Sequence, residues 1–230
     1  MMQSILFIGR LNCIHTKELR NFLKSRIKKL YFIESRNIGE RLRLSKLLKQ
    51  KVDLIISFRS FYILKKNELS LSNYGAINFH AGTPEYRGIG SLNFAIKDKF
   101  PFFGSTCHVI DKKIDNGPIL DVKKFKLNYS KKIDLDKIIL RTHKMTVVQA
   151  KKVLKTIIKN PKNIDVMVKK NRNIKWSKDI TSLRDLKNLY MINKNVSKKE
   201  LEKIILSTNS NDFKPYITIH GKKFEFKNEN

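Results

Sequence analysis

The feature that most constrains the fold is a regular alternation of short apolar runs with amphipathic, lysine-rich stretches. Each run has the length of a buried strand, bounded by polar or glycine residues. Alternating strands and helices bury both faces of a parallel sheet, so the pattern predicts an open, doubly wound, Rossmann-like α/β fold. The runs lie at residues 4–9, 30–34, 53–58 and 75–80.

The stretches between these runs have the spacing of helices. Residues 16–29 carry apolar side chains three and four positions apart, with Thr16 as the predicted N-cap, and residues 40–50 show the same spacing. We also expect a short helical turn at residues 65–69 and a helix from Ser91 through Lys97. The N-terminal half is therefore predicted to alternate strand and helix throughout.

The second half of the chain changes character. It predicts two strands joined by a tight connection and then one long helix that ends before Pro161, after which the periodicity weakens. We interpret residues 1–160 as the main domain and residues 161–230 as a small α+β appendage that ends in a β-hairpin. The predicted elements are strands at 104–111 and 118–127, a helix at 134–159, a strand at 164–168, a helix at 181–192 and the hairpin at 215–226.

The formal net charge of +29 is extreme for a chain of 230 residues. Such a charge is compatible with a nucleic-acid partner. The lysines are, however, spread along nearly the whole length, without an arginine-rich arm. We therefore favour a lysine-rich solvated surface that attracts phosphorylated substrates, and we expect no specific nucleic-acid partner.

The remaining composition indicates a cytoplasmic protein. No apolar run reaches the length of a membrane span, and the N-terminal residues resemble a first strand more than a signal peptide. The two cysteines, Cys13 and Cys107, show no disulfide framework, which fits a reducing compartment. We expect no membrane association.

Two polar side chains stand at the end of the fourth predicted strand. Asn78 and His80 are two residues apart, so on a strand both lie on the same face. A Gly/Pro-rich loop with the sequence Ala-Gly-Thr-Pro-Glu-Tyr-Arg-Gly follows them. An amide donor beside an imidazole suits a reaction in which an oxyanion develops and a proton must move. Ligands of open α/β sheets bind beyond the carboxyl ends of the strands, where these two residues lie.

A later segment strengthens this interpretation. The sequence Gly-Ser-Thr-Cys-His-Val-Ile-Asp at residues 104–111 is followed by Ile-Asp-Asn-Gly-Pro at residues 114–118. Together with the Asn-x-His strand end and the Pro-x-Tyr-Arg-Gly loop, it resembles the folate-dependent formyltransferase family over roughly the first two-thirds of the chain. The resemblance implies that Asn78, His80 and Asp115 are the catalytic residues. From the residues alone, Asp115 is equally a turn residue.

The resemblance implies a reaction and a co-substrate. An uncharged amine attacks the formyl carbon of N10-formyltetrahydrofolate, with His80 as the base and Asp115 orienting it. The segment at residues 55–65 resembles the family's pterin pocket, with Phe58, Tyr62 and Ile63 as its side-chain walls and Asp115 also at the cofactor. No metal is required, and the other histidines are interpreted as structural or surface residues: His15, His108, His143 and His220.

The loop and the C-terminal sequence resemble the sugar N-formyltransferases most closely. The implied acceptor is a nucleotide-linked amino sugar, dTDP-4-amino-4,6-dideoxyglucose, a precursor of O-antigen in lipopolysaccharide biosynthesis. A homodimer is implied as well, with the C-terminal hairpin as a candidate interface. Each candidate substrate contact is also compatible with plain surface decoration, and Trp176 with packing. These candidates are Arg10, Glu85, Tyr86, Arg87, Asn93, Trp176 and Tyr216, with Lys17 as a second cation for the diphosphate.

Two alternatives within the resemblance remain open. A methionyl-tRNA formyltransferase would use the positive charge, but residues 160–230 leave little room for the C-terminal barrel that we expect of it. A formyltetrahydrofolate hydrolase would use the same three catalytic residues with water as the nucleophile. We expect that enzyme to carry a regulatory domain before the first strand.

Overall fold

The computed structural model describes residues 1–37, 44, 48, 50–130 and 133–227. A six-stranded sheet has the strand order β2-β1-β3-β4-β6-β7. Strands β1 to β4 run parallel to one another, and β6 is antiparallel to β4. The predicted mostly parallel α/β fold is confirmed. The sheet strands are β1 Ser4–Arg10, β2 Lys29–Ser35, β3 Leu54–Phe58, β4 Ala76–His80, β6 Phe102–Val109 and β7 Ile119–Lys126.

The chain forms two compact units. The first comprises residues 1–81, 105–123 and 143–175, and the second comprises residues 82–104, 124–142 and 176–230. The boundary predicted at residue 160 does not coincide with this division, because the helices on either side of it both pack on the core of the first unit. The helices are α1 Ile14–Lys24, α2 Lys66–Leu69, α3 Ser91–Lys97, α4 Leu135–Lys159, α5 Asn163–Lys170, α6 Leu183–Tyr190 and α7 Lys198–Thr208.

The core of the first unit lies on one face of the sheet. Phe7, Phe58 and Phe79 are fully buried there, and each such burial contributes about 1.5–3 kcal/mol. Helix α4 covers them with apolar residues three and four positions apart, among them Ala150 and Leu154. A second apolar cluster contains other side chains of the sheet, such as Leu6 and Ile55, together with Tyr62, which follows the end of β3.

Several predicted boundaries change in the structure. Helix α1 begins at Ile14 with Cys13 as its N-cap, so Thr16 lies inside the helix and is completely buried. Gly90, and not Ser91, is the N-cap of α3. The strand predicted at 164–168 is wrong. Ile164, together with Met167 and Val168, packs on the core at helical spacing, so α5 forms instead. The helix predicted at 40–50 lies outside the described residues except for Gln50 and the buried Leu44 and Leu48.

The second unit contains α3, α6 and α7, two short strands and the hairpin. Ser182 and Asp185 form a reciprocal capping box at the start of α6. Strands β5 Arg87–Gly88 and β8 Ile180–Thr181 pair in parallel. Helix α7 and this strand pair were not predicted. In the terminal hairpin, β9 Tyr216–Ile219 and β10 Lys222–Glu225 are antiparallel.

The hairpin turn follows from its sequence. His220 and Gly221 both have positive φ, at 46° and 75°, as a two-residue type I′ turn requires. The predicted C-terminal hairpin is therefore present. No helix within the described part of the chain combines the length and apolarity needed to cross a membrane.

Candidate active site

The antiparallel pairing of β4 and β6 assembles a polar cluster in the first unit. Asn78 is opposite His108, and His80 is opposite Thr106. Side chains alternate between faces along a strand, so Asn78 and His80 share the face opposite the buried Phe79. The predicted placement of these two residues on one face is what the structure contains.

Asp115 reaches the same cluster from the loop between β6 and β7. Its Oδ2 lies 3.3 Å from Nδ1 of His80, and its Oδ1 lies 3.3 Å from Nε2 of His108. The side chain of Asn78 completes the group, with Nδ2 3.4 Å from Oδ1 of Asp115. These four side chains are the candidate active site.

The backbone conformation of the β6–β7 loop brings Asp115 back to the sheet. Asp115 has a φ of 44°, in the left-handed region that most residues avoid. Gly117 passes so close to the chain that a Cβ there would lie 1.9 Å from the carbonyl oxygen of Val109. The loop closes on itself where the amide of Val109 donates to the carbonyl of Pro118 at 2.9 Å. Asp111 accepts from the amide of Lys113 at 2.8 Å and braces the turn.

The cluster is largely shielded from water. The side chains of His80 and Asp115 are 10% and 9% exposed, and that of His108 is 2% exposed. A carboxylate that lies between two imidazoles in such a site can orient one ring and can accept a hydrogen bond from a protonated nitrogen of that ring. Among the described residues, no cluster of His, Cys, Asp and Glu side chains has the arrangement to hold a metal ion.

His108 is the candidate-site residue that the sequence analysis does not single out. It is interpreted there as a structural or surface residue; its side chain is 2% exposed and contacts Asp115 and Asn78, whose Nδ2 lies 3.2 Å from its Nε2. The sequence contains one signal for His108. It lies two residues after Thr106, so both side chains are on one face of β6, the strand that pairs with the one carrying the Asn-x-His motif.

The three predicted pterin-pocket side chains differ in exposure. Phe58 is fully buried in the core. Tyr62 is also buried, and its hydroxyl donates to Glu68. Ile63 is 60% exposed, so of the three it presents the most surface to a ligand.

The predicted substrate contacts in the second unit have partners within the protein. Glu85 pairs with Lys124, and the hydroxyl of Tyr86 donates to Asp98 at 3.0 Å. Arg87 is buried and donates to the carbonyl of Ser177 at 3.2 Å.

The other predicted contacts of that unit are placed as follows. Asn93 donates to the carbonyl of Ser207 at 2.7 Å, which joins α3 to α7. Tyr216 lies on β9 beneath the ammonium group of Lys223, 4.4 Å from its ring centroid, and Trp176 is half-buried. The positions of Asn93, Tyr216 and Trp176 are therefore compatible with a structural role as well as with a role in binding a ligand.

Arg10 lies in a cationic cluster of the first unit, at the end of β1. Its guanidinium stacks over the ring of Phe61 at 4.3 Å. Burial and the charge of Arg10 lower the pKa of Arg59. Burial, with the charges of Arg59, His15 and Arg10, lowers the pKa of His143 to about 3. The guanidinium groups of Arg10 and Arg59 favour a bound anion, whereas His143, with its pKa at about 3, is neutral near pH 7.

The comparisons with known proteins fit this geometry. No protein-family model matches the chain. A methionyl-tRNA formyltransferase from Thermodesulfovibrio yellowstonii is 35% identical over 103 residues, which are 44% of this chain and 32% of that protein. The chain spans a third or less of the length of the first curated relatives that it matches.

Solved structures match nearly the whole chain. A 4-N formyltransferase from Francisella tularensis has a TM-score of 0.77 at 22% identity, with 99% of this chain and 98% of that one covered. An N-formyltransferase from Helicobacter canadensis, solved with folinic acid and dTDP-3-aminofucose, has a TM-score of 0.68 at 18% identity, with coverage of 96% and 85%.

The motifs, the sequence matches and the fold agree with one another. The chain resembles the folate-dependent formyltransferase family in its motifs and in its sequence over 44% of its length. Its fold is that of solved sugar N-formyltransferases.

Proposed function

We propose that this protein transfers the formyl group of N10-formyltetrahydrofolate to the amine of a nucleotide-linked amino sugar. The observation that carries the proposal is the position of Asp115, whose carboxylate lies 3.3 Å from His80 within a buried cluster that also holds Asn78. The arrangement supplies an amide donor and a carboxylate–imidazole pair, which are the groups that acyl transfer to an amine needs.

The proposed chemistry balances without another reactant. The amine nitrogen forms a bond to the formyl carbon, and the amide of Asn78 donates to the oxyanion of the tetrahedral intermediate. His80, oriented by Asp115, takes the proton that the amine releases. The bond from the formyl carbon to N10 then breaks, N10 receives from His80 the proton that the amine released, and the products are a formamide and tetrahydrofolate.

The acceptor class is supported by two features. The solved structures that match nearly the whole chain include sugar N-formyltransferases, and one holds a dTDP-amino sugar. The guanidinium groups of Arg10 and Arg59 favour an anion, and the diphosphate of a nucleotide sugar is such a group. We propose dTDP-4-amino-4,6-dideoxyglucose as the acceptor, in the cytoplasmic synthesis of O-antigen.

A transfer assay tests this proposal. Wild-type protein is incubated with N10-formyltetrahydrofolate and the 4-amino sugar nucleotide, beside its 3-amino isomer and methionyl-tRNA. We expect turnover on the 4-amino sugar, which is lost in His80→Asn. Turnover on the 3-amino isomer alone would correct the position of the amine.

Methionyl-tRNA is a second candidate acceptor. It is favoured by the 35% identity to a methionyl-tRNA formyltransferase and by the net charge of +29. Turnover on the tRNA alone, with a steep dependence of binding on salt concentration, would replace the sugar proposal. Weak binding that does not select among RNAs would leave the charge as a general surface property.

We further propose a homodimer that pairs through the C-terminal hairpin. Phe224 and Phe213 are 52% and 66% exposed in that region, and the outer edge of β10 has no partner strand among the described residues. Light scattering before and after truncation at Asn211 tests this interface. The mass is expected to halve, whereas an unchanged mass would remove the hairpin from the interface.

A further inference from the structure

We infer that His108 is a positioning residue for this site, which controls whether the Asn78 amide is held by the protein or released toward the reacting oxygen. The inference rests on the proposed function for its role in transfer. Its structural basis is the contact of a single ring nitrogen with both Asn78 and Asp115.

The tautomer of His108 follows from its backbone contact. Its Nδ1 lies 2.8 Å from the carbonyl oxygen of Val109. A carbonyl oxygen only accepts hydrogen bonds, so Nδ1 carries a proton whether the ring is neutral or charged. The nitrogen that gains or loses a proton is therefore Nε2, which faces the site.

Nε2 has two neighbours with opposite requirements. Nδ2 of Asn78, at 3.2 Å, only donates, so it bonds to Nε2 of the neutral ring. Oδ1 of Asp115, at 3.3 Å, accepts as a carboxylate, so it bonds to Nε2 of the protonated ring. The two bonds exclude each other, and one proton on His108 selects between them.

The orientation of the Asn78 amide supports the same arrangement. While Nε2 is unprotonated, a flipped amide would place Oδ1 of Asn78 against the lone pair of His108 and the carboxylate of Asp115, with no donor between them. Nδ2 therefore faces both groups, at 3.2 and 3.4 Å. The titratable groups that bear on His108 are Asp115 in the β6–β7 loop and, across its carboxylate, His80 on β4.

The consequence for transfer concerns the donor to the oxyanion. While His108 is neutral, it competes for an N–H of Asn78. His80 takes the proton of the amine first. When that proton passes through the carboxylate of Asp115 to Nε2 of His108, the His108 ring bonds to Asp115 and the N–H of Asn78 is released for the developing negative charge. Taking up the proton of the amine and stabilising the oxyanion are thereby linked through one buried ring.

Two variants separate this role from simple packing. His108→Gln keeps a polar side chain without a titrating nitrogen, and His108→Asn is a shorter alternative should the first fold poorly. His220→Gln, at the hairpin turn, is the matched control. We expect kcat of His108→Gln to fall by about 10- to 100-fold, with KM for the folate changed less than about threefold. Its profile of kcat against pH should lose a limb that the wild type and His220→Gln retain.

A measurement without substrate keeps the inference testable. The side-chain amide resonance of Asn78, followed by NMR in ligand-free protein, should move with pH in the wild type and lose most of that movement in His108→Gln. An unaltered movement, or reduced activity with an unchanged pH profile, would overturn the inference. Absence of formyl transfer in the wild type counts against the proposed function only, because the resonance reports on His108 independently.

Discussion

The guanidinium of Arg59 donates a hydrogen bond to the sulfur of Cys13, with 3.1 Å between Nη1 and Sγ. Cys13 is the N-cap of α1, so its sulfur lies at the positive end of the helix. Burial acts against the thiolate, but the hydroxyl and amide of Thr16, the charge of Arg59 and the amide of His15 outweigh it. The pKa of the Cys13 thiol is therefore below its ordinary value.

The first prediction compares the two cysteines of the chain. Complete burial, together with the charge of Asp121, raises the pKa of Cys107 well above its ordinary value. Thiolates and not thiols react with iodoacetamide, so near neutral pH we expect Cys13 to be alkylated and Cys107 to be protected until the protein unfolds. Mass spectrometry of labelled peptides measures both sites in one sample.

The variant Arg59→Gln isolates the effect of the guanidinium on this reaction. It is expected to slow alkylation of Cys13 by about 3- to 10-fold near pH 7, because the thiolate fraction falls. Arg26→Gln, an exposed arginine elsewhere in the first unit, is the control. Equal rates in all three proteins would show that Arg59 does not stabilise the thiolate.

The second prediction concerns acid stability. Burial and the neighbouring charges of Arg59, His15 and Arg10 lower the pKa of His143 from 6.5 to about 3. The unfolded chain therefore binds a proton at pH values where the folded protein does not. The free energy of unfolding then falls as the pH drops from 6.5 toward 3, by up to about 1.4 kcal/mol per pH unit.

Thermal unfolding at about pH 7 and about pH 5 measures this effect. His143→Asn is expected to lose less melting temperature on acidification than the wild type, because it has no ring to protonate. His220→Asn, at the exposed hairpin turn where asparagine tolerates the positive φ of 46°, should behave as the wild type. An identical acid loss in His143→Asn would contradict the assignment.

The third prediction tests the carboxylate of the candidate site. Asparagine tolerates the left-handed backbone of Asp115, so Asp115→Asn should fold with a melting temperature close to that of the wild type. Without a carboxylate to orient His80, kcat/KM should fall by about 100- to 10,000-fold. Transfer assays and thermal unfolding on the same preparation separate chemistry from folding. Retained activity would exclude Asp115 from the proposed reaction.

The fourth prediction tests the loop that carries Asp115. Gly117→Ala would place a Cβ 1.9 Å from the carbonyl oxygen of Val109, so the loop must shift. We expect a destabilisation of about 1–3 kcal/mol and a loss of activity through displacement of Asp115. Gly75→Asn is the control, since Gly75 has a positive φ but open space around its Cβ position. Equal effects in both variants would argue against a close approach at Gly117.

The sequence predicts β1, β2 and β3 well because each of these strands contains a contiguous apolar run. The boundaries of the helices are less predictable, since they depend on tertiary contacts. The buried position of Thr16 inside α1 leaves Cys13 as the N-cap, although threonine is the better capping residue in isolation. The run from Ile164 to Val168 alternates like a strand, yet packing of Ile164 and Val168 on the core makes it a helix.

In the candidate site, too, the features that depend on neighbouring residues can be predicted from the sequence, and those that depend on contacts distant in sequence cannot. The Asn-x-His motif is local, so Asn78 and His80 can be identified directly from the sequence. The contact of Asn78 with His108 joins residues 30 positions apart, and it depends on the antiparallel register of β4 and β6. The residues next to Asn78 and His108 in the sequence do not determine that register.

The division of the chain into two units has a consequence for how such a protein diversifies. Asn78, His80, His108 and Asp115 all belong to the first unit, whereas six predicted acceptor contacts belong to the second. The predicted acceptor contacts of the second unit are Glu85, Tyr86, Arg87, Asn93, Trp176 and Tyr216, and those of the first unit are Arg10 and Lys17. Under the proposed function, most substitutions that alter the choice of acceptor would therefore fall in a different part of the chain from the residues that perform the chemistry. Such an enzyme could change what it formylates while it keeps the way in which it formylates.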